Sequence, residues 1–133
     1  PYFGFGAGAH GLVSNIRTVN EPLPGKYIQH CTQKEVKQYP IGPAAIESHQ
    51  RDRKEQIEDH MILNLRLIQE GINLEEFQHQ YNKRVEDFYP DQVTNLLESG
   101  HLEWCNDGKN FRIPSKHFFI ANQILVNFMR DQD

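Results

Sequence analysis

This chain has few cysteines and no long apolar stretch, and each of these two features argues against a class of protein. Only two cysteines, Cys31 and Cys105, occur. They lie far apart and form neither a disulfide framework nor a paired metal motif, which favours a reducing compartment. No apolar run approaches the roughly 20 residues that span a bilayer, and no secretory signal pattern is present. We therefore expect a cytoplasmic protein.

Positive charge is also scarce where a nucleic-acid-binding protein would need it. The net charge is −4. Residues 1–72 carry eight basic and eight acidic side chains, whereas residues 73–133 carry six basic and ten acidic ones. A surface that neutralises phosphates needs an excess of Lys and Arg. We therefore expect no nucleic-acid partner.

The residues that are present suffice for one ordinary domain. The chain has 133 residues, of which 38% are hydrophobic and 24% charged, so a packed core can form. It begins with Pro1 rather than Met. We interpret it as a piece of a longer protein.

The first 45 residues predict one strand followed by mostly irregular chain. Tyr2–Phe5 predicts a short strand, and Gly4–Gly11 the loop that leaves it. Residues 12–25 contain two prolines and a glycine near their end and are expected to be irregular. Pro24 can begin a short helix, and residues 38–45 predict a linker.

The middle of the chain predicts two helices. Ser48 is a candidate N-cap for a long helix over residues 49–70. The buried stripe of this helix is expected to consist of Ile57, Met61, Leu65 and Ile68. Asn73 begins a segment that resembles a capping box, which predicts a second helix over residues 74–81.

The C-terminal part predicts a helix, a hairpin and a last helix. Pro90 fits the first turn of a helix over residues 90–99. Alternating apolar residues on both sides of Asp107-Gly108 predict a β-hairpin. The last helix is expected over residues 115–130. This order is typical of a winged-helix-like domain, so the chain should be mainly α with a β-hairpin.

The stretch "FGFGAGAHG" has the Gly-x-Gly-x-x-Gly spacing of a dinucleotide-binding loop. Such a loop requires a helix that begins at the third glycine and an acidic residue about 20 positions further on. After Gly11 neither is found. Two interpretations stay open: a turn that needs positive φ, or a strand-end loop whose backbone closely approaches a ligand.

Several motifs occur in an order that resembles a known family. They are "YFGFGAGAHG", "VNEPLPGKYIQ", "EDHMILNLRLIQEGIN", "LLESGHLEW" and "ANQIL". Together they resemble the C-terminal part of the oxygen-independent coproporphyrinogen III oxidase-like proteins, which are radical S-adenosylmethionine (SAM) proteins. This group contains coproporphyrinogen dehydrogenases and similar heme chaperones. The resemblance covers nearly the whole chain.

The resemblance implies a division of the chain and a cofactor site. Residues 1–25 would be the tail end of a truncated radical SAM α/β partial barrel. Residues 26–45 would be a short helix and linker, and residues 46–133 a helical, winged-helix-like domain. SAM would be cradled, in the complete barrel, by Gly6, Ala7, Gly8 and Ala9.

The resemblance also limits what this chain can do alone. The Cys-x3-Cys-x2-Cys motif, which holds the family's 4Fe–4S cluster, is absent here. The parent would therefore use the cluster and SAM, whereas the chain alone should bind no cofactor, contain no catalytic residue and be inactive as an enzyme. Its partners would be the rest of its own chain and, in the parent, a tetrapyrrole.

Two further residue types are candidates for ligand binding. Arg66 lies among apolar residues in "LNLRL". It either clamps a propionate carboxylate of a tetrapyrrole, or forms an internal ion pair or extends along the surface with its charged end in water. The seven histidines lack the spacing of a metal motif, so no metal site is predicted. His10, directly after the glycine loop, is expected to be solvated or to cap a turn.

Three functions remain open at this point. The parent is either a coproporphyrinogen III oxidase-like enzyme of heme biosynthesis, with this chain docking at its active site, or a heme chaperone of the same family. Alternatively, the chain is a stand-alone winged-helix module for protein interaction or regulation.

Overall fold

A computed structural model describes residues 1–33 and 37–129. The chain divides into two compact units, Pro1–Lys54 (unit 1) and Glu55–Asp133 (unit 2). The predicted linker, residues 38–45, lies within the described residues. The last residue of the predicted C-terminal helix, Arg130, lies outside them.

Unit 1 is built on a three-stranded antiparallel sheet. Its strands follow the order β1–β2–β3. Their bounds are His10–Val13 for β1, Ile16–Asn20 for β2 and Ala45–Gln50 for β3, and helix α1 spans Pro24–Thr32 between β2 and β3. Ser14 and Asn15, which connect β1 and β2, have φ angles of 50° and 65°. Positive φ at both central residues is the signature of a tight two-residue hairpin turn.

This sheet corrects three predictions. Residues 12–20, within the segment 12–25 predicted to be irregular, belong to the β1–β2 hairpin, because Ser14 and Asn15 adopt the left-handed backbone angles of its turn without a glycine. The predicted strand Tyr2–Phe5 is reduced to one bridge, between Tyr2 and Leu12. Ser48 does not cap a helix, because it lies in β3 and pairs with Thr18 of β2.

Unit 2 combines helices with a second small sheet. The helices are α2 Arg53–Leu65, which starts at the unit boundary, α3 Leu74–Tyr81, α4 Val85–Phe88, α5 Pro90–Glu98 and α6 Ala121–Leu125. The strands are β4 Ile72–Asn73, β5 Glu103–Cys105 and β6 Asn110–Arg112. They are antiparallel in the order β4–β6–β5. The predicted hairpin is β5–β6, and it lies where the sequence placed it.

The core of unit 2 is one continuous cluster of apolar side chains. Its largest fully buried members are Phe77, Phe111, Phe128, Ile57, Met61, Leu65, Ile72, Leu102, Ile113, Val85 and Val93. The predicted cap is confirmed, since the Asn73 side chain accepts hydrogen bonds from the amides of Glu75 and Glu76, both at 3.1 Å. The helix that begins at Pro90 is confirmed as well.

Two of the predicted helices differ in extent. The long helix starts at Arg53 and ends at Leu65 instead of covering residues 49–70. Ile57, Met61 and Leu65 are buried as predicted, but Ile68 is 48% exposed because the chain has already left the helix there. The last helix is divided into a 3-10 segment Ser115–Ile120, then α6, then a second 3-10 segment Val126–Phe128.

The chain is therefore mixed α and β, and the prediction of a mainly α chain with one hairpin understated its β content. Strand β4 and helix α4 were not predicted, because two and four residues are too short for a periodic pattern.

Candidate functional site

The glycine loop, residues Gly4–Ala9, is held by the last residue of strand β2 and the residue that follows it. The Asn20 side-chain amide donates to the carbonyl oxygens of Gly4 and Gly6, both at 3.1 Å. The Asn20 backbone amide donates to the Ala9 carbonyl at 2.9 Å, and the Gly8 amide donates to the Glu21 carbonyl at 3.0 Å. The loop thus takes its shape from contacts with Asn20 and Glu21.

Helix α1 supplies another contact. The Gly6 amide donates to the Tyr27 hydroxyl oxygen at 3.1 Å. The Ala9 amide donates to the Gly6 carbonyl at 3.3 Å, which closes a turn within the loop. Three of the loop's backbone N–H groups are therefore engaged inside the protein.

The glycines are required for two local reasons, which are positive φ angles and lack of space for a Cβ. Gly6 and Gly8 have φ angles of 104° and 69°, which residues with a Cβ rarely adopt. At Gly4 and Gly11 the neighbouring chain leaves no room, since a Cβ on Gly11 would lie 2.8 Å from the Thr18 hydroxyl oxygen. Gly11 lies within β1 and no helix begins there, unlike the third glycine of a dinucleotide-binding loop.

The hydrogen bonds within the protein reduce what this loop can offer a ligand. The resemblance implied that residues Gly6, Ala7, Gly8 and Ala9 cradle SAM, but the amides of Gly6, Gly8 and Ala9 already have partners. Ala7 is exposed and has only a methyl side chain, whereas Gly6, Gly8 and Ala9 are half-buried. The loop therefore offers close approach at Ala7, while the amides of Gly6, Gly8 and Ala9 are engaged within the protein.

Unit 1 also contains a cavity of about 260 Å³ next to the loop. Its lining includes Phe3, Val13, Thr18, Tyr27, Cys31 and Pro40. Most of these groups are apolar, so the cavity favours a flat or aliphatic group.

Arg66 lies at the surface of unit 2, just after α2. Its Nη2 donates to the Asn122 Oδ1 at 3.1 Å. It borders an open pocket of about 300 Å³ together with Phe118, Phe119 and Ala121. Phe119 is 85% exposed. A cation beside one exposed and one half-buried aromatic ring can take a carboxylate that is attached to an apolar body.

The histidines do not form a metal centre in the part of the chain that the structure describes. No group of three or more His, Cys, Asp or Glu side chains there is placed to hold a metal ion. His101 and His117 do lie close, with ring centroids 5.1 Å apart, a pairing that the sequence spacing did not indicate. His10 is exposed at the start of β1.

His60 is the histidine most affected by its surroundings. It packs edge-on against Phe77 and Tyr81, and its Nδ1 lies 3.3 Å from the Tyr81 hydroxyl oxygen. Burial lowers the pKa of His60, and the Glu76 carboxylate partly opposes this shift. Tyr81 is 6% exposed and belongs to the core, whereas His60 is half-buried beside it. Trp104 is 50% exposed.

Among the described residues, no helix is long and apolar enough to cross a bilayer.

Comparison with known proteins identifies relatives of this chain. Residues 52–116 match the family model described as the HemN C-terminal domain. The chain is 34% identical to the heme chaperone HemW of Bacillus subtilis over 96% of its own length, and 28% identical to the heme chaperone HemW of Lactococcus lactis over 98%. It spans 31% of the length of each of these two relatives.

A solved structure shares the fold. Coproporphyrinogen III oxidase (HemN) from Escherichia coli, a radical SAM enzyme, superposes with a TM-score of 0.68 at 15% sequence identity. The match covers 95% of this chain and 27% of that enzyme. The resemblance expected from the sequence motifs is therefore confirmed: this chain is a relative of the C-terminal part of the HemN- and HemW-like proteins.

Proposed function

We propose that the chain is the C-terminal part of a radical SAM-family protein that carries heme. The observation that supports this is the 34% identity to a heme chaperone HemW along nearly the whole chain. The likeness to the HemN enzyme, at 15% identity, bears on the fold alone. The cluster, most of the barrel and the remaining partner surfaces would belong to the rest of the parent protein.

The alternative is a coproporphyrinogen III oxidase-like enzyme, and one pair of assays separates the two. The full-length parent is titrated with hemin, following the Soret band, and is then incubated with coproporphyrinogen III, SAM and a reductant. A heme carrier binds one hemin per chain and leaves the substrate's propionates intact. Turnover to a decarboxylated porphyrinogen would contradict the proposal and establish the oxidase.

Within the parent, we propose that SAM lies against the glycine loop at residues Gly6, Ala7, Gly8 and Ala9. When bound to a reduced cluster, SAM supplies a radical or an electron-accepting sulfonium. The role of this loop is limited to shape: Ala7 lets the ligand approach, and the internal hydrogen bonds keep the backbone rigid.

Ala7 provides a cleaner test of this site than the glycines. At Gly8, φ is +69°, so any side chain there strains the backbone whether or not a ligand binds. In the full-length parent, Ala7→Leu should weaken SAM binding about tenfold or more by steric exclusion, as overpacking of 1–3 kcal/mol implies. Calorimetric titration measures this, and Ser48→Leu, on exposed strand β3, is the matched control. Equal affinities in the two variants would mean that the loop is only a turn.

Arg66 is proposed to bind a carboxylate of the tetrapyrrole. Its guanidinium stands beside Phe118 and Phe119, and charged hydrogen bonds of this type are the strong ones. Arg66→Gln should weaken hemin binding by the parent about tenfold and leave binding of the hemin dimethyl ester unchanged. Lys116→Gln, which removes an exposed cation two positions before Phe118, is the control. An equal loss with the ester would show that Arg66 acts through packing instead.

We further propose that unit 2 serves as a winged-helix-like docking domain that binds protein rather than DNA. The order α2, β4, α3, α5, β5, β6 supports the first part, with α4 as an added turn before α5. The recognition-helix position is taken by α5, whose charged residues are Asp91 and Glu98. DNA readout at this position needs cations. A salt-sensitive gel shift with micromolar chain would contradict this and revive the stand-alone regulatory module.

A further inference from the structure

We propose that Asn20 is a positioning residue that fixes the glycine loop in its ligand-binding shape. The inference deepens the proposed function, on which its ligand, SAM, depends. Asn20 contacts the loop at three points: its side chain bonds the carbonyls of Gly4 and Gly6 at 3.1 Å each, and its backbone amide bonds the carbonyl of Ala9 at 2.9 Å. One residue thus holds both ends and the middle of the loop.

The position of Asn20 in the sheet explains how its side chain reaches the loop. The pairing of β2 with β3 proceeds residue by residue as far as Val19 with Glu47, and then shifts so that Asn20 pairs with Ala45. Such a bulge leaves one residue of the partner strand, here Ile46, unpaired and re-aims the neighbouring side chains. Asn20 is only 8% exposed, so its amide works in a setting from which water is largely excluded.

An amide side chain is the group that can bond to both carbonyl oxygens. Two carbonyl oxygens need two N–H donors, and the Asn amide provides two on one atom. An Asp side chain has the same shape, but when ionised it has only acceptors and cannot donate to these carbonyl oxygens. The loop itself cannot compensate, because glycine and alanine side chains offer no polar group and the flexibility of Gly6 and Gly8 allows many backbone states.

The consequence for binding is preorganisation. With the carbonyls of Gly4 and Gly6 turned toward Asn20, the exposed Ala7 between the two glycines at 6 and 8 is presented in one conformation. A loop that is fixed before the ligand arrives loses less entropy on binding, so the ligand binds more tightly.

The test is a graded series at this position in the full-length parent. Asn20→Ser keeps one donor and Asn20→Asp keeps none. We expect SAM affinity to fall in the order Asn, Ser, Asp, with a loss of about tenfold or more for Asp, while the stoichiometry at saturation stays one per chain. The matched control is Asn15→Asp, because Asn15 also donates from its side chain to a backbone carbonyl, that of Arg51 at 2.8 Å, away from the loop.

A second measurement tests the role of Asn20 independently of which ligand the loop binds. Hydrogen exchange of the Gly6, Gly8 and Ala9 amides should speed up in Asn20→Asp and not in Asn15→Asp, whether or not SAM is added. If the wild type binds no SAM, the proposed function fails and the exchange data alone decide on Asn20. If Asn20→Asp does not fold, Asn20→Ser decides. Wild-type affinity and wild-type loop exchange in the folded variants would overturn the inference.

Discussion

Unit 2 buries a continuous cluster of large apolar side chains, whereas unit 1 buries almost none. Among the described residues of unit 1, the buried apolar side chains are Ala44 and Ala45. Large apolar side chains of the same unit are open to solvent, and Phe5 is 86% exposed. Unit 1 is held by strand pairing and by the polar contacts of Asn20, which fix a shape but remove little apolar surface from water.

The two units therefore differ in the source of their stability. The hydrophobic effect is the dominant favourable contribution to folding, and unit 2 has it within its own residues. Unit 1 carries an ordered loop and a sheet, and the aromatic residues Tyr2, Phe3 and Phe5 that precede the sheet are more than half exposed among the described residues.

The largest expected effect is seen when the units are separated. Residues 53–133, which keep α2 whole, should unfold in one cooperative transition, whereas residues 1–54 should show none. The reason is that a small domain without a buried apolar core cannot offset its conformational entropy. Circular dichroism melts of both pieces measure this. Strong hydrogen-exchange protection of residues 2–6 in monomeric residues 1–54 would contradict it.

Matched phenylalanines in the two units sharpen the comparison. Phe77→Ala should lower the free energy of unfolding of unit 2 by about 3–5 kcal/mol, because Phe77 is fully buried. Phe5→Ala in unit 1 should change the stability of the chain by less than about 0.5 kcal/mol. Urea denaturation followed by far-UV circular dichroism reports both units, and the fluorescence of Trp104, the single tryptophan and a residue of unit 2, reports that unit separately. Similar losses in the two variants would show that Phe5 has partners within the chain.

The same contrast explains what could be predicted from sequence. In unit 2 the signals are local: Ile57, Met61 and Leu65 repeat at helical spacing, and Asn73 caps the helix that follows it. In unit 1 the decisive contacts are distant in sequence. Strand β3 pairs with a strand that ends 25 positions earlier, so the local pattern, which predicted Ser48 as an N-cap and a helix from residue 49, was wrong there.

The candidate site was predictable in part for the same reason. The glycine spacing indicated a loop, and Gly6 and Gly8 do require positive φ. The partners of the loop, Asn20 and Tyr27, bond to it across 14 to 21 positions, and no periodicity reveals such contacts. A polar Asn at the end of the "IRTVN" strand, where the alternation would place a buried side chain, is the signal that could have indicated it.

Two glycines of unit 2 test how closely its core is packed. A Cβ on Gly71 would lie 2.6 Å from the Cβ of Arg112, and φ there is +61°. Gly100 has φ of +74° but no atom within 4 Å of such a Cβ. Gly71→Ala should therefore cost about 3 kcal/mol, from overpacking plus strain, and Gly100→Ala about 1 kcal/mol, from strain alone. Urea denaturation of both variants measures the difference, and equal costs would mean that the β4–β6 region can shift to make room.

The smallest expected effect is a pH dependence confined to unit 2. Burial lowers the pKa of His60 below the ordinary histidine value of about 6.5, so at a pH just below that value the unfolded chain binds more protons than the folded one. Stability must then fall as the pH falls through the unfolded pKa, and the loss is complete once the pH lies below the lowered pKa of the folded state. Above about pH 7.5 the group contributes no slope, because it is neutral in both states.

The measurement is the free energy of unfolding by urea between pH 7.5 and pH 5, followed by Trp104 fluorescence. His60→Gln removes the titrating ring and keeps a polar group beside the Tyr81 hydroxyl, so its stability should fall less steeply with acid than that of the wild type. His79→Gln, on the exposed side of α3, is the control and should retain the wild-type slope. The Glu76 carboxylate opposes the effect of burial, so Glu76→Gln should make the acid loss steeper. If the free energy of unfolding depends on pH in the same way in His60→Gln and in the wild type, His60 does not contribute to the pH dependence.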